Sequence, residues 1–139
     1  APTRPVPVAL FLGDQDPLVP YGGGEVARNN GRALSAKASA QLFAGLNGCA
    51  AEPAARPLPD TSPDDGSTVE LQTWSACQAG AEVRLYTVHG GGHTWPGGQA
   101  YLPEAFIGAT NRDLEATSEA WSFFKDRTLS AVPTATEGR

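Results

Sequence analysis

The sequence lacks several features that mark particular classes of protein. Its 139 residues include no methionine and only two cysteines. No apolar run approaches the roughly 18 residues that a membrane-spanning helix needs, so no membrane association is expected. No signal-peptide pattern is present either, because the opening segment APTRPVPVALFLG is not followed by a small-residue cleavage site. A chain without methionine that opens on a strand-like segment predicts that Ala1 lies inside a longer protein.

Positive charge is sparse and scattered along the chain. Ten Lys and Arg face fifteen Asp and Glu, which gives a net charge of −5. A protein that binds nucleic acid needs clustered basic side chains to neutralise phosphates. Nucleic acid is therefore not expected as a partner.

No metal or organic cofactor is indicated by the sequence. His89 and His93 have the four-residue spacing of a zinc-binding helix pair, but three consecutive glycines between them disfavour a helix. Asp14 and Asp16 could begin a calcium loop, yet Leu18 stands where the next oxygen ligand belongs. Neither triple-glycine segment is followed by the Lys-Ser/Thr pair of a phosphate-binding loop.

The two cysteines leave two readings open. Cys49 and Cys77 could be buried free thiols of a cytosolic protein, or a disulfide of an exported one. Both lie beside Gly-containing, loop-like sequence, which favours the disulfide and a secreted location, extracellular or periplasmic. A disulfide closing a loop of this size stabilises a fold by about 3–4 kcal/mol in the chain-entropy model.

The predicted elements alternate as in an α/β layer protein. Residues 6–12 (VPVALFL) are almost continuously apolar, which is typical of a central strand in a parallel sheet covered by helices on both faces. Residues 68–74 and 82–88 alternate as strands do. Residues 50–66 form a Pro- and Asp-rich excursion without periodicity. The domain is expected to span residues 1–129, and residues 130–139 to form a disordered tail.

Two helices are predicted. The first spans residues 35–46, with Ser35 as its N-cap and Gly48 as its stop. The second lies within residues 110–129, with Thr110 or Asn111 as its cap. The apolar side chains expected to face the core are Ala38, Leu42, Phe43 and Leu46 in the first helix and Leu114, Trp121 and Phe124 in the second. Trp74 is also expected in the core.

Two loops carry the residues that could perform chemistry. Asp16 follows the first predicted strand, and His93 follows a later one, each within Gly- and Pro-rich sequence. A carboxylate can hold the tautomer of a catalytic histidine and stabilise its cation. An acid before a histidine, with the nucleophile earlier still, is the chain order of α/β-hydrolases.

Residues 6–125 resemble the C-terminal half of the esterase family that includes polyhydroxybutyrate depolymerases and feruloyl and acetylxylan esterases. The most specific match is the segment GGGHTWPGG at residues 90–98. Further matches are Gly13-x-x-Asp16-x-x-Val19-Pro20-Tyr21, Asn47-Gly48-Cys49, Leu58-Pro59-Asp60, Asp65-Gly66-x-x-Val69 and Cys77. The resemblance implies the C-terminal part of an α/β-hydrolase fold, a mostly parallel sheet flanked by helices, with the N-terminal half missing.

The same resemblance implies roles for individual residues. Asp16 would be the acid and His93 the base of a Ser-His-Asp triad, and Trp95 and Tyr21 would bind the substrate, a polymeric or small carboxylic ester. Cys49 and Cys77 would form the family's disulfide.

The chain departs from the family pattern in one important respect. No Gly-x-Ser-x-Gly segment occurs anywhere in it, although glycines on both sides of the serine permit the sharp turn of a nucleophile elbow. The nucleophile and the oxyanion hole are therefore expected in the absent N-terminal half, and this chain alone is not expected to hydrolyse esters. A second departure, Leu12 in place of a frequent histidine, bears little on Asp16.

Three alternatives remain open. Asp14 rivals Asp16 as the acid, although its place next to Gly13 favours hydrogen bonds within its own turn. The chain could instead be a non-catalytic polymer- or carbohydrate-binding module that presents Trp95, Tyr21 and Tyr101. It could also be a partner subunit or cleavage product that completes a site with another polypeptide. A half-hydrolase should expose an unpaired strand edge and an apolar face, whereas a binding module should be self-contained.

Overall fold

A computed structural model describes residues 2–129, and the predicted tail at residues 130–139 lies outside that range. The strands are β1 (Val8–Gly13), β2 (Gly24–Glu25), β3 (Arg32–Ala33), β4 (Ala54–Pro57), β5 (Thr68–Trp74) and β6 (Val83–His89). The helices are α1 (Ala36–Leu46), α2 (Glu104–Ile107) and α3 (Ala116–Phe124). No helix in the described range has the length and apolar character needed to cross a bilayer.

The main sheet is mixed, with the strand order β1-β6-β5-β4. Strand β1 runs parallel to β6, in a register that pairs Val8 with Val83 and Gly13 with Val88. Strand β5 is antiparallel to both β6 and β4. The expectation of a mostly parallel sheet is therefore wrong. Strands β5 and β6 are joined by only eight residues (75–82), and such a short connection permits a hairpin but not a parallel crossover.

Strand β1 has the composition of a central strand but lies at the edge of this sheet. Val8, Leu10 and Leu12 pack on the α1 side, and Phe11 packs on the opposite side. Within residues 2–129, β1 pairs only with β6. Its other edge has no strand partner among the described residues and lies between two apolar faces, which is unusual for an edge strand.

Helix α1 begins where the sequence predicts, because Ser35 Oγ accepts the N–H of Ala38 at 3.1 Å. The predicted buried stripe is only partly correct, because Phe43 packs against the core but Leu42 and Leu46 do not. The buried residues of α1 are Ala36, Ala40 and Ala44, which let the helix approach the sheet closely, together with a partly buried Phe43. Leu42 and Leu46 are 50% and 43% exposed, so α1 presents an apolar outer face.

The C-terminal helix lies within the predicted residues 110–129, and Leu114 is buried as predicted, but the helix begins after the predicted caps and Phe124 is 42% exposed. Helix α3 starts at Ala116, and Asn111 instead caps a preceding turn by accepting the N–H groups of Asp113 and Leu114. Phe123 is buried, whereas Trp121 is 69% exposed, so the assignment of Trp121 to the core is wrong. Trp74 is fully buried, as predicted.

Cys49 and Cys77 form a disulfide, which confirms the favoured pairing. The bond joins the end of α1 to the connection between β5 and β6, 28 residues apart in the sequence. It thereby ties the helical layer to the two central strands of the sheet.

Replacing both cysteines with alanine is expected to lower the free energy of unfolding by about 3–4 kcal/mol, since the unfolded chain regains the freedom of an open loop. Urea unfolding of the native and double-alanine proteins measures the difference. Intact mass after alkylation without reductant checks the bond itself. Two alkylated cysteines in protein from an oxidising compartment would contradict it.

Candidate active site

The loops that follow β1 and β6 meet at one edge of the sheet, because parallel neighbouring strands end on the same side. Their pairing continues past the strands, with Asp14 N donating to Val88 O and Gln15 N donating to Gly91 O, both at 3.0 Å. The loop that carries Asp16 therefore lies directly against the loop that carries His93.

Glycines make this close approach possible. A Cβ at Gly13 would lie 2.2 Å from the carbonyl oxygen of Gly91, and a Cβ at Gly92 would lie 2.1 Å from that of Ile107. Both contacts are with backbone atoms, so no side-chain movement could relieve them. The glycines that stand out in the sequence are thus required by the packing of the loops.

Asp16 and His93 form a hydrogen-bonded pair. Asp16 Oδ2 lies 2.7 Å from His93 Nδ1, a short distance typical of a charge-assisted bond. The other carboxylate oxygen of Asp16 accepts the backbone N–H groups of Leu18 and Val19 at 2.8 and 2.9 Å. The carboxylate is thus fixed by its own turn, and its side chain is only 7% exposed.

This arrangement favours the tautomer that His93 needs to act as a base. With Nδ1–H donating to Asp16, the lone pair of the neutral ring lies on Nε2. The side chain of His93 is 40% exposed, and no group in the described part of the chain bonds Nε2. Nε2 is therefore available to accept a proton.

A neighbouring segment supports the histidine loop from behind. Gly92 N donates to Ala109 O at 2.9 Å, and His93 N donates to Ile107 O. Asn111, which is fully buried, accepts the N–H of Gly97 through its backbone carbonyl and bonds Ser67 through its side chain. Sequence reasoning treated Asn111 only as a possible helix cap, because its burial depends on residues more than forty positions away.

Two clefts share His93 as part of their lining. The larger has a volume of about 600 Å³ and is mainly apolar; its side chains include Leu18, Val19, Val26, Tyr101, Phe106 and Ile107. The smaller, of about 350 Å³, lies between the Asp16–His93 pair and Trp95. No serine or cysteine of the described residues lines either cleft.

The two residues expected to bind substrate lie in different settings. Trp95 is 46% exposed, packs its ring at a tilt against Phe11 and donates its indole N–H to Thr117 at 2.9 Å. It lines the smaller cleft with His93. Tyr21 instead bonds Thr87 through its hydroxyl at 2.6 Å and packs on the α1 side of the sheet.

A second aspartate–histidine pair lies beside the first. Asp14 Oδ2 is 2.9 Å from His89 Nδ1, and Asp14 Oδ1 accepts the N–H of Gly90 at 2.8 Å. The expectation that Asp14 accepts backbone N–H groups of its own turn is therefore wrong: its backbone partner is Gly90, and its own turn contributes only the side chain of Gln15, at 3.4 Å. Partial burial acts to raise the pKa of Asp14, but the hydrogen bonds from His89 and Gly90 outweigh it and lower the pKa below its usual value.

Metal ligands do not cluster in the described part of the chain. Residues 2–129 contain no group of three or more His, Cys, Asp or Glu side chains placed to hold an ion.

Comparison with known proteins reveals similarity to esterases. The chain is 33% identical over 131 residues to "Putative esterase NocK" of Nocardia uniformis subsp. tsuyamanensis, an alignment that covers 88% of this chain and 38% of that protein. It is 35% identical over 95 residues to feruloyl esterase B of Piromyces equi, covering 66% of this chain and 16% of that protein. The chain thus spans well under half the length of either relative. No protein-family model and no solved structure matches it.

Proposed function

We propose that this relative of esterases supplies the acid and the base of a Ser-His-Asp triad in a carboxylic ester hydrolase. The observation that carries the proposal is the 2.7 Å bond between Asp16 and His93 beside an apolar cleft. The nucleophilic serine is contributed by polypeptide outside these 139 residues, since the chain holds no nucleophile-elbow sequence.

The chemistry of the site is acyl transfer. The serine attacks the ester carbonyl while Nε2 of His93 takes its proton, and the resulting imidazolium is stabilised by the carboxylate of Asp16. His93 then gives that proton to the departing alcohol, and an acyl-enzyme remains. Water attacks the acyl-enzyme with the same proton transfers, releasing the carboxylic acid and restoring the serine.

Two features of the fold are consistent with a further segment of polypeptide that packs against this chain and completes the domain. The free edge of β1 could accept another strand, and the exposed Leu42 and Leu46 give α1 an apolar outer surface. These are the features expected of a half-hydrolase rather than of a self-contained binding module. We propose that the missing N-terminal half of the same fold occupies them and carries the serine.

The clefts support an ester with a substantial apolar part. The larger cleft is lined mainly by aliphatic and aromatic side chains, which favour apolar acyl or alkoxy groups over charged ones. The proposed substrate is thus a polymeric or small ester. Candidates are a polyhydroxyalkanoate, a feruloylated or acetylated polysaccharide, and a small ester. The disulfide supports a secreted protein, because such bonds persist in oxidising compartments.

The proposal is tested with the full-length protein that contains this chain. It is expected to hydrolyse p-nitrophenyl esters, and His93→Gln is expected to abolish turnover because glutamine cannot accept and return the proton. A full-length protein that hydrolyses these esters equally well with His93→Gln would exclude His93 as the base.

Trp95→Ala is expected to raise KM by about tenfold in the full-length enzyme, since it removes an aromatic surface from the cleft beside His93. Steady-state kinetics with aromatic and small aliphatic esters measure the effect, which should be larger for the aromatic ester. Trp121→Ala is the matched control, because Trp121 is exposed on α3 and lines neither cleft. Equal effects of the two substitutions would argue against contact between Trp95 and substrate.

A further inference from the structure

Asp14 and His89 form a hydrogen-bonded pair that the triad does not use. Asp14 lies on the same loop as Asp16, and His89 is the last residue of β6, four positions before His93. We propose that Asp14 and His89 are positioning residues that fix the geometry of the Asp16–His93 pair. The catalytic consequence of this proposal rests on the proposed function, whereas the geometric consequence does not.

The first argument is the flexibility of the histidine loop. His93 is separated from the end of β6 by three glycines, and glycine leaves the backbone free to adopt many conformations. Gly90, the first of them, has a φ of 78°, in the left-handed region. The conformation of this segment must therefore be fixed by contacts from outside it.

The structure supplies one such contact for each glycine. The side chain of Asp14 holds the N–H of Gly90, Gln15 N bonds the carbonyl of Gly91, and the carbonyl of Ala109 holds the N–H of Gly92. Of these three contacts only the first involves a side chain. It can therefore be removed by substitution without altering the backbone.

The second argument concerns the role of His89. Without His89, the carboxylate of Asp14 would be held at one oxygen only, by the N–H of Gly90 and a 3.4 Å hydrogen bond from the side chain of Gln15. The bond to His89 Nδ1 at 2.9 Å holds the second oxygen and so orients the first toward Gly90. The contact between Asp14 and Gly90 thus fixes the backbone two residues before Asp16 on one loop and three residues before His93 on the other.

The Asp14–His89 pair is expected to affect the placement of His93 more than the free energy of unfolding. The side chains of His89 and Asp14 are 49% and 26% exposed, and exposed ion pairs contribute little to folding. Catalysis is more sensitive, because misplacement of a reacting group by about 1 Å can cost on the order of 100-fold in rate. A small shift of the loop would thus be visible at His93 before it is visible in unfolding.

The experiment compares two substitutions of similar size. In His89→Asn the amide nitrogen can occupy the place of Nδ1, two bonds from Cβ, and can still donate to Asp14. In His89→Leu no donor remains. Asp14→Leu, which removes both acceptors, is measured as a second loss-of-contact variant.

Two readouts are taken on the full-length protein. The first is the exchange rate of the His93 Nδ1 proton with water, followed by NMR with ¹⁵N-labelled histidine and assigned with His93→Gln. The second is steady-state kinetics with a p-nitrophenyl ester, which gives kcat and KM separately. In His89→Leu we expect exchange to accelerate and kcat to fall, each by about tenfold, with KM and the urea midpoint unchanged. In His89→Asn we expect both to stay close to the native values.

Each outcome decides the proposal. Unchanged proton exchange and kcat in both His89→Leu and Asp14→Leu would overturn it and leave a surface ion pair without a positioning role. Equal losses in His89→Asn and His89→Leu would also overturn it, since the imidazole rather than the hydrogen bond would then matter. If the full-length protein hydrolyses no ester, the proposed function fails, but the proton exchange of His93 still tests the positioning role.

Discussion

Asp16→Asn is expected to lower kcat of the full-length enzyme by about 10⁴-fold, with little change in KM. The asparagine carbonyl can still accept the N–H groups of Leu18 and Val19, so the turn should survive. Its amide group would then face Nδ1 of His93 and favour the opposite tautomer, with the proton on Nε2. A ring protonated at Nε2 cannot take a proton from serine.

Asp14→Asn is the matched control for this experiment. It should cost at most about 1 kcal/mol of stability, because the asparagine carbonyl can still accept the N–H of Gly90 and the contact with His89 is exposed. Its effect on kcat should not exceed about tenfold, because Asp14 contacts His89 and Gly90 rather than His93. Steady-state kinetics and urea unfolding of both variants test the assignment, and the reverse pattern would show that Asp14 is the acid.

The 139-residue chain by itself is expected to show no turnover of p-nitrophenyl esters above the background of free imidazole. It holds an acid and a base, but no serine or cysteine among residues 2–129 lines the clefts around His93. Removal of triad members in other serine hydrolases costs up to about 10⁶-fold in kcat. A loss of that size would bring the rate of p-nitrophenyl ester hydrolysis down to that of free imidazole.

The measurement is a comparison of the chain with the full-length protein at equal concentration. Circular dichroism provides the control that the isolated chain is folded. Turnover by the chain that is lost after treatment with a serine-directed phosphonate would mean that one of its own serines is the nucleophile.

Features set by short stretches of sequence could be predicted. Ser35 caps α1, and Cys49 pairs with Cys77. The chain order of acid and histidine, together with the resemblance to esterases, predicted Asp16 as the partner of His93 and left Asp14 as a rival, and the structure places Asp16 2.7 Å from His93. That bond depends on local turns and on a single pair of strands.

Features set by distant contacts could not be predicted. The antiparallel direction of β5 could have been inferred from its short connection to β6, whereas its pairing with β4 could not, because β4 lies in a segment without periodicity. Trp121 and Phe123 both fit a helical pattern, and only the packed sheet decides which one is buried. The place of Asp14 next to Gly13 predicts bonds within its own turn, whereas its partners His89 and Gly90 lie 75 and 76 residues away along the chain.

The most direct test of the central claim is to map the residue that a serine-directed phosphonate labels in the full-length protein. We predict one labelled serine, located outside these 139 residues within a Gly-x-Ser-x-Gly segment. We also predict that His93→Gln abolishes labelling, since the serine then loses the base that activates it. Labelling of a serine within this chain, or labelling that is unaffected by His93→Gln, would contradict the claim that the chain supplies the base and acid of a serine hydrolase.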